Sequence, residues 1–270
     1  MSWWGKLAGS AFGFMLGGPL GALLGAVLGH NLDKGLGGLS HDEGLAPGER
    51  ERVQTAFFTA TFSVMGCIAK ADGQVSKDEI ALAKAVMNEM DLDGEMRQAA
   101  INLFNQGKED DFPLDDVLDQ FRHECHRRNT LIQMFIEIQL QAAYADGRLD
   151  VAEERLLLQI CETLGIPEFV FRRLERMIQV EGRFGGRSAG GRRAGQPASG
   201  PTLQDAYAIL NISSDTSDAE VKRAYRRLLS QHHPDKLVSK GLPEEMMKMA
   251  ARKTHEIRKA YEKVKGSRGF

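Results

Sequence analysis

The chain has little cysteine and none of it is paired. Its 270 residues include only Cys67, Cys125 and Cys161, an odd number spread far apart with no CxxC pair, so neither a redox nor a zinc framework is suggested and a reduced setting fits the main body. His123, Cys125 and His126 form the only His/Cys cluster. Successive helix positions point in different directions, whereas a zinc site needs four convergent ligands. Strand patterning is also missing: no period-two alternation runs between residues 50 and 180, which argues against a sheet there. No Ser/His/Asp or Cys/His spacing marks a nucleophile in that stretch. Neither a catalytic residue nor a cofactor is expected.

Formal charge is absent from Leu7 to Gly29, a run of 23 residues between Lys6 and His30. As a helix it would span about 30 Å, enough for one membrane crossing. Within it Gly9, Gly13, Gly17, Gly21 and Gly25 recur every fourth residue. Small residues at that spacing let two helix backbones approach closely in lipid, so a helix dimer is expected. Trp3 and Trp4 stand where an interfacial aromatic anchor belongs. A cleaved signal peptide and an uninserted glycine-rich tail are the competing readings. The first lacks a basic n-region beyond Lys6. The second draws on Pro19 and the glycines, which lower helicity. Flanking charges lean only weakly toward a cytoplasmic C-terminal side.

A net charge of -2 conceals two opposite halves. Residues 1 to 181 hold 17 basic and 28 acidic side chains, whereas residues 201 to 270 hold 14 basic and nine acidic. A basic C-terminal module suits nucleic acid or an acidic protein, so its motifs must decide.

After a connector over 31–48, Val53, Phe57, Ala60, Val64, Ile68 and Ala71 follow the spacing of a core-facing helix, as do Leu131, Phe135, Ile138, Ala142 and Ala145. With Pro113 and Pro167 suited to helix starts, the pattern predicts an all-helical bundle of about seven helices over 49–181. Two segments within it match: Ala71-Asp72-Gly73, continuing to Ser76 and Glu79, and Ala145-Asp146-Gly147, continuing to Asp150 and Glu153. Each reads as a corner in which glycine ends one helix and a capping box begins the next. The alternative is a hard divalent cation held by Asp72, Glu79, Asp146 and Glu153. Neither loop has EF-hand spacing.

Residues 182 to 201 are Gly/Arg-rich with little to bury, the composition of a mobile tether rather than a nucleic-acid binder. Beyond it, Asp205 to Leu210 forms a short amphipathic helix. Ser217 or Asp218 caps a longer one through His232, and Pro243 opens a third that runs to about Lys265. Val221, Ala224, Tyr225 and Leu228 make an inward stripe, which Met249, Ile257, Ala260 and Tyr261 should meet. Lys222, Arg223, Arg226 and Arg227 lie outside it, and His233-Pro234-Asp235 stands between the second and third helices.

These blocks, with Ala-Tyr-Glu-Lys-Val at 260–264, resemble a J domain over 202–270. The resemblance implies that His233, Pro234 and Asp235, with Lys222, Arg223, Arg226 and Arg227, engage a DnaK-type chaperone and trigger its ATP hydrolysis, with no chemistry of their own. Gln231 and His232 depart from the lysine and tyrosine common there, and the loop from Leu237 to Leu242 is unusual in composition. No Gly/Phe-rich region or CxxCxGxG repeat follows. The repeated acidic corners resemble the TerB-like family, whose members have been proposed to bind metal through such residues.

The order of parts, a membrane segment over 1–30, a TerB-like bundle, a flexible linker and a C-terminal J-domain hairpin, resembles the DjlA type of bacterial co-chaperone. That family implies a single-pass inner-membrane protein with a periplasmic N-terminus, a cytoplasmic bulk and a dimerising membrane helix. It also implies links to envelope stress and capsule control. The clients are not legible.

Overall fold

The computed structural model describes residues 17–32, 48–71, 73, 77–90, 92, 94–126, 128–144, 148–184, 202–243 and 246–270. They fold into helices only: α1 (Gly18–Leu32), α2 (Glu49–Ala69), α3 (Lys77–Glu89), α4 (Gly94–Gly107), α5 (Leu114–Glu124), α6 (Asn129–Ala143), α7 (Val151–Thr163), α8 (Glu168–Phe184), α9 (Leu203–Leu210), α10 (Asp218–His232), α11 (Pro234–Ser239) and α12 (Met247–Arg268). Helices α2 to α8 are the expected seven of the central bundle. Pro113 and Pro167 immediately precede α5 and α8.

Helix α2 is the axis of that bundle. Every residue from Val53 to Gly66 is buried, so the helix is enclosed on all sides rather than along one stripe. Two of its hydroxyls are satisfied locally, Thr55 donating to the Glu51 carbonyl and Ser63 to that of Thr59, whereas those of Thr59 and Thr61 are buried without a partner. Around Phe57 the rings of Phe121 and Phe135 close at 5.9 and 6.4 Å in edge-on geometry, which favours the positive edge of one ring against the negative face of the next. On the opposite flank α4 crosses α2 at backbone contact. A Cβ at Gly66 would strike the Phe104 carbonyl, and one at Gly107 the Ser63 carbonyl. Only glycine admits that crossing.

The capping box of the second corner forms as its spacing requires. Asp150 caps α7 by accepting from the Ala152 amide, and Glu153 accepts from the Asp150 amide at 3.0 Å. At the first corner Gly73 takes the left-handed φ of +86°; Asp72 and Ser76 lie outside the described residues, as do Ala145 to Gly147.

One part of the N-terminal expectation, an unbroken helix, needs correction. The helix does not run through Gly17: both Gly17 and Gly18 have φ near +60°, and α1 starts there with Pro19 in its first turn, where a missing amide costs nothing. Gln120 closes this start, accepting from the Leu20 amide and donating to the Gly17 carbonyl, each at 2.8 Å. Leu20, Leu24 and Val27 are buried against the bundle. Among the described residues no helix is long and apolar enough to cross a membrane. Gly21 is buried and Gly25 half-buried on α1, while Gly9 and Gly13 lie outside the described residues.

The C-terminal module is a helical hairpin, α10 against α12, with α9 laid across it. Thr202 with Asp205 and Ser217 with Glu220 form capping boxes that start α9 and α10. Ala206, Ile209, Leu210, Val221, Ile257, Ala260 and Val264 make its core. Tyr225 stacks on Tyr261 with ring centroids 4.0 Å apart. Arg268, three residues beyond the expected helix end, donates to the Tyr207 hydroxyl, the Ser214 and Thr216 carbonyls and Asp218. It ties the end of α12 to the α9–α10 loop.

Two corrections concern the third helix. It starts at Met247 rather than Pro243, and α11 stands between it and α10. Met249 does not face the α10 stripe but joins the core of the central bundle with Leu237, Leu242, Met246 and Ala250.

Candidate functional site: the His-Pro-Asp turn and the basic helix

Helix α10 presents two faces. Val221, Ala224 and Leu228 turn inward, whereas Arg223, Arg226 and Arg227 are exposed and Lys222 half-exposed. Ala219, Lys222, Arg223 and Arg226 line a shallow open groove along the outer side. The Lys222 ammonium sits 4.8 Å from the centroid of the Phe270 ring, a cation–π contact that holds it at the groove wall.

At the end of α10 the backbone of His233 is extended, φ -65° and ψ 123°, as the following proline requires. Pro234 then opens α11 at its first position, where its fixed φ suits a helix start. The turn therefore projects two side chains outward: His233 is 48% and Asp235 83% exposed, with His233 Nδ1 and Asp235 Oδ2 3.9 Å apart. Lys236 is drawn back, donating to Ser230 at 2.6 Å. The seven residues singled out in sequence are thus brought to one end and one face of the module, none of them a nucleophile beside a base.

The flank of the same turn is seated on the central bundle, which sequence reasoning missed. Lys253 of α12 approaches Glu137 of α6 at 3.3 Å, and His232 approaches the other carboxylate oxygen at 3.9 Å. All three side chains are at least nine-tenths buried. Burial alone would push the Glu137 carboxyl up, but Lys253, His232 and then Arg173 outweigh it and hold it below the ordinary carboxylate range. Burial, reinforced by Lys253 and Arg173 against the opposing pull of Glu137, holds His232 below the ordinary imidazole value. Nearby, Gln54 donates to the Leu242 carbonyl at a long 3.5 Å and Lys240 to Thr130 at 3.1 Å. The signal was legible in spacing: Lys253 lies four residues from both Met249 and Ile257, and His232 four beyond Leu228.

Among the described residues the other candidates do not converge. Among the described residues no group of three or more His, Cys, Asp or Glu could hold a metal ion. Glu153 spends its carboxylate on its cap, Asp72 and Asp146 lie outside the described residues, and nothing is described of the Glu79 side chain. Cys125 is buried with its thiol pushed up to about 12 by burial, while His123 and His126 are exposed. Burial likewise pushes Cys161 to about 12 and Cys67 to about 11, which keeps these thiols protonated and unreactive.

An exposed His-Pro-Asp turn closing a basic helix, braced by an antiparallel partner, is the arrangement of a J domain. Residues 205–265 match the DnaJ domain family, 58–176 the family of the tellurite resistance protein TerB, and 1–41 the transmembrane domain family of the co-chaperone DjlA. The chain is 45% identical over its full length to the whole "Co-chaperone protein DjlA" of Salmonella typhimurium (strain LT2), 44% to that of Escherichia coli (strain K12), and 44% to that of Yersinia pestis. It belongs to the DjlA family of co-chaperones, and its N-terminal match is to that family's membrane anchor. No solved structure matches it.

Proposed function

We propose that this chain recruits a DnaK-type chaperone to the inner membrane, stimulates its ATP hydrolysis and directs it to clients at the envelope. The observation that carries the reading is the joint exposure of His233 and Asp235 at the end of a helix whose outer face is Lys222, Arg223, Arg226 and Arg227. A fixed histidine and carboxylate give geometric specificity, and the cationic face steers an acidic partner surface into register. The hydrolytic chemistry belongs to the partner. Single-turnover ATP hydrolysis by DnaK tests this: the full-length chain should accelerate it, and His233→Gln should remove the acceleration.

The membrane half of the proposal is a single crossing by 7–29 with the N-terminus periplasmic, in which Gly17 and Gly18 leave their left-handed backbone and the straightened helix pairs through the face of Gly9, Gly13, Gly17, Gly21 and Gly25. Insertion exchanges the apolar protein seat of Leu20, Leu24 and Val27 for an equally apolar lipid one, and it uncovers the bundle face on which they rest. Cysteine cross-linking in vesicles should trap a dimer that Gly17→Leu with Gly21→Leu reduces. A dimeric scaffold acting without DnaK would instead lose its function with the glycines and keep it with His233→Gln.

A further inference from the structure

The unusual stretch after the His-Pro-Asp turn has a physical partner in the same chain. Leu237, Leu242, Met246, Met249 and Ala250 are buried in the core of the central bundle rather than in that of the J module. Gly241 makes the seating possible. At φ +102° it lies so close to α2 that a Cβ there would stand 2.7 Å from Val53 Cγ1, which no other residue tolerates without strain. The segment is pinned by Gln54 and by the contact of Lys240 with Thr130. On the other side of the turn His232 and Lys253 flank Glu137. The turn is therefore held at both ends by the central bundle while His233 and Asp235 remain exposed.

The geometry points to Glu137 as a positioning residue of the central domain: its buried carboxylate, clamped between His232 and Lys253, docks the J module and fixes the His-Pro-Asp turn for its partner. A buried carboxylate facing a buried ammonium favours one docked arrangement of the two modules, since a docked arrangement out of register strands a charge away from water. A turn already ordered before encounter loses less conformational freedom on binding, which strengthens the apparent affinity without touching the chemistry. Such a role gives the central bundle a function that needs neither metal nor a client. It rests on the DnaK reading above.

The test uses the full-length chain with two readouts. The first is amide hydrogen exchange at Lys240, Gly241 and Leu242, whose amides donate to Leu237, Val238 and Leu237. The second is a titration of DnaK ATP hydrolysis, read as plateau and half-saturating concentration. Glu137→Gln or Lys253→Met should each speed exchange in the segment by about tenfold or more, because one charge is left buried alone. Each should raise the half-saturating concentration by about threefold to tenfold and leave the plateau unchanged. Combining Glu137→Gln with Lys253→Met removes both charges and should restore most of the exchange protection and most of the affinity. Unchanged exchange in both single variants overturns the docking role of Glu137. Faster exchange with an unshifted half-saturation, or a lowered plateau instead, overturns the positioning role. A wild-type chain that fails to stimulate DnaK overturns the functional reading and the positioning role with it. Exchange still reports separately whether Glu137 holds the seam.

Discussion

The crossing of α2 with α4 and the seam between the central bundle and the J module are both buried, yet they are built from opposite materials. At the crossing, Gly66 and Gly107 remove side chains so that backbone meets backbone, and the surroundings are apolar. At the seam, a carboxylate, an ammonium and an imidazole are enclosed together. Close apolar packing has no dependence on protonation and one dominant mode of failure, loss of volume or excess of it. A buried charge cluster contributes little net stability but penalises misalignment, and it responds to pH. One region fixes the fold; the other sets how two folded modules sit.

The largest expected effect comes from the apolar side of this comparison. Phe57→Ala opens a cavity beside Phe121 and Phe135 and should cost about 3 to 5 kcal/mol, read by denaturant unfolding of the full chain. Gly107→Ala forces a Cβ against the Ser63 carbonyl and should cost about 1 to 3 kcal/mol, with the helices pushed apart rather than unfolded. If Gly107→Ala is neutral, the helices do not cross at backbone contact and the contrast with the seam fails.

Acid should separate the two regions. Glu137 and His232 are both held below their ordinary values of 4.5 and 6.5, so the docked state binds fewer protons than an open one and its stability is lost as pH falls. His232 acts first, as the pH drops below about 6.5 toward its docked value. Lys253 and Arg173 face the same carboxylate, and Arg252 and Glu256 line the same crevice. Hydrogen exchange, corrected for its intrinsic pH dependence, should lose protection at Leu242 between pH 7.5 and 5 while the amides of α2 keep theirs. Equal loss in both would show one cooperative unit with no separable seam. The smallest effect should come from Ser217→Ala, which removes the cap of α10 and should cost about 1 kcal/mol without changing the seam.

Much of this was legible because local chemistry decides it. Ser217 with Glu220 and Asp150 with Glu153 announce helix starts by themselves, and the J block carries its turn within a dozen residues. What escaped depends on partners distant in sequence. Stripe counting places Val53, Phe57 and Ala60 correctly, but it cannot show that Phe58, Thr59 and Phe62 are buried as well, because enclosure of α2 is a property of its neighbours. Met249 has the right spacing for the α10 stripe and goes to the other core. The glycine series suggests one uninterrupted helix, whereas Gly17 and Gly18 adopt left-handed backbone and Gln120, a hundred residues away, caps the start. Lys253 and His232 were visible as polar residues on inward spacings, and their common partner Glu137 was not.

One measurement reaches both regions at once: the titration of DnaK ATP hydrolysis by the full-length chain, comparing wild type, His233→Gln and Glu137→Gln. The exposed turn should set the height of the curve and the buried seam its position, so His233→Gln should flatten the plateau while Glu137→Gln only moves the half-saturating concentration upward. A His233→Gln chain that keeps the wild-type plateau would contradict the account at its centre.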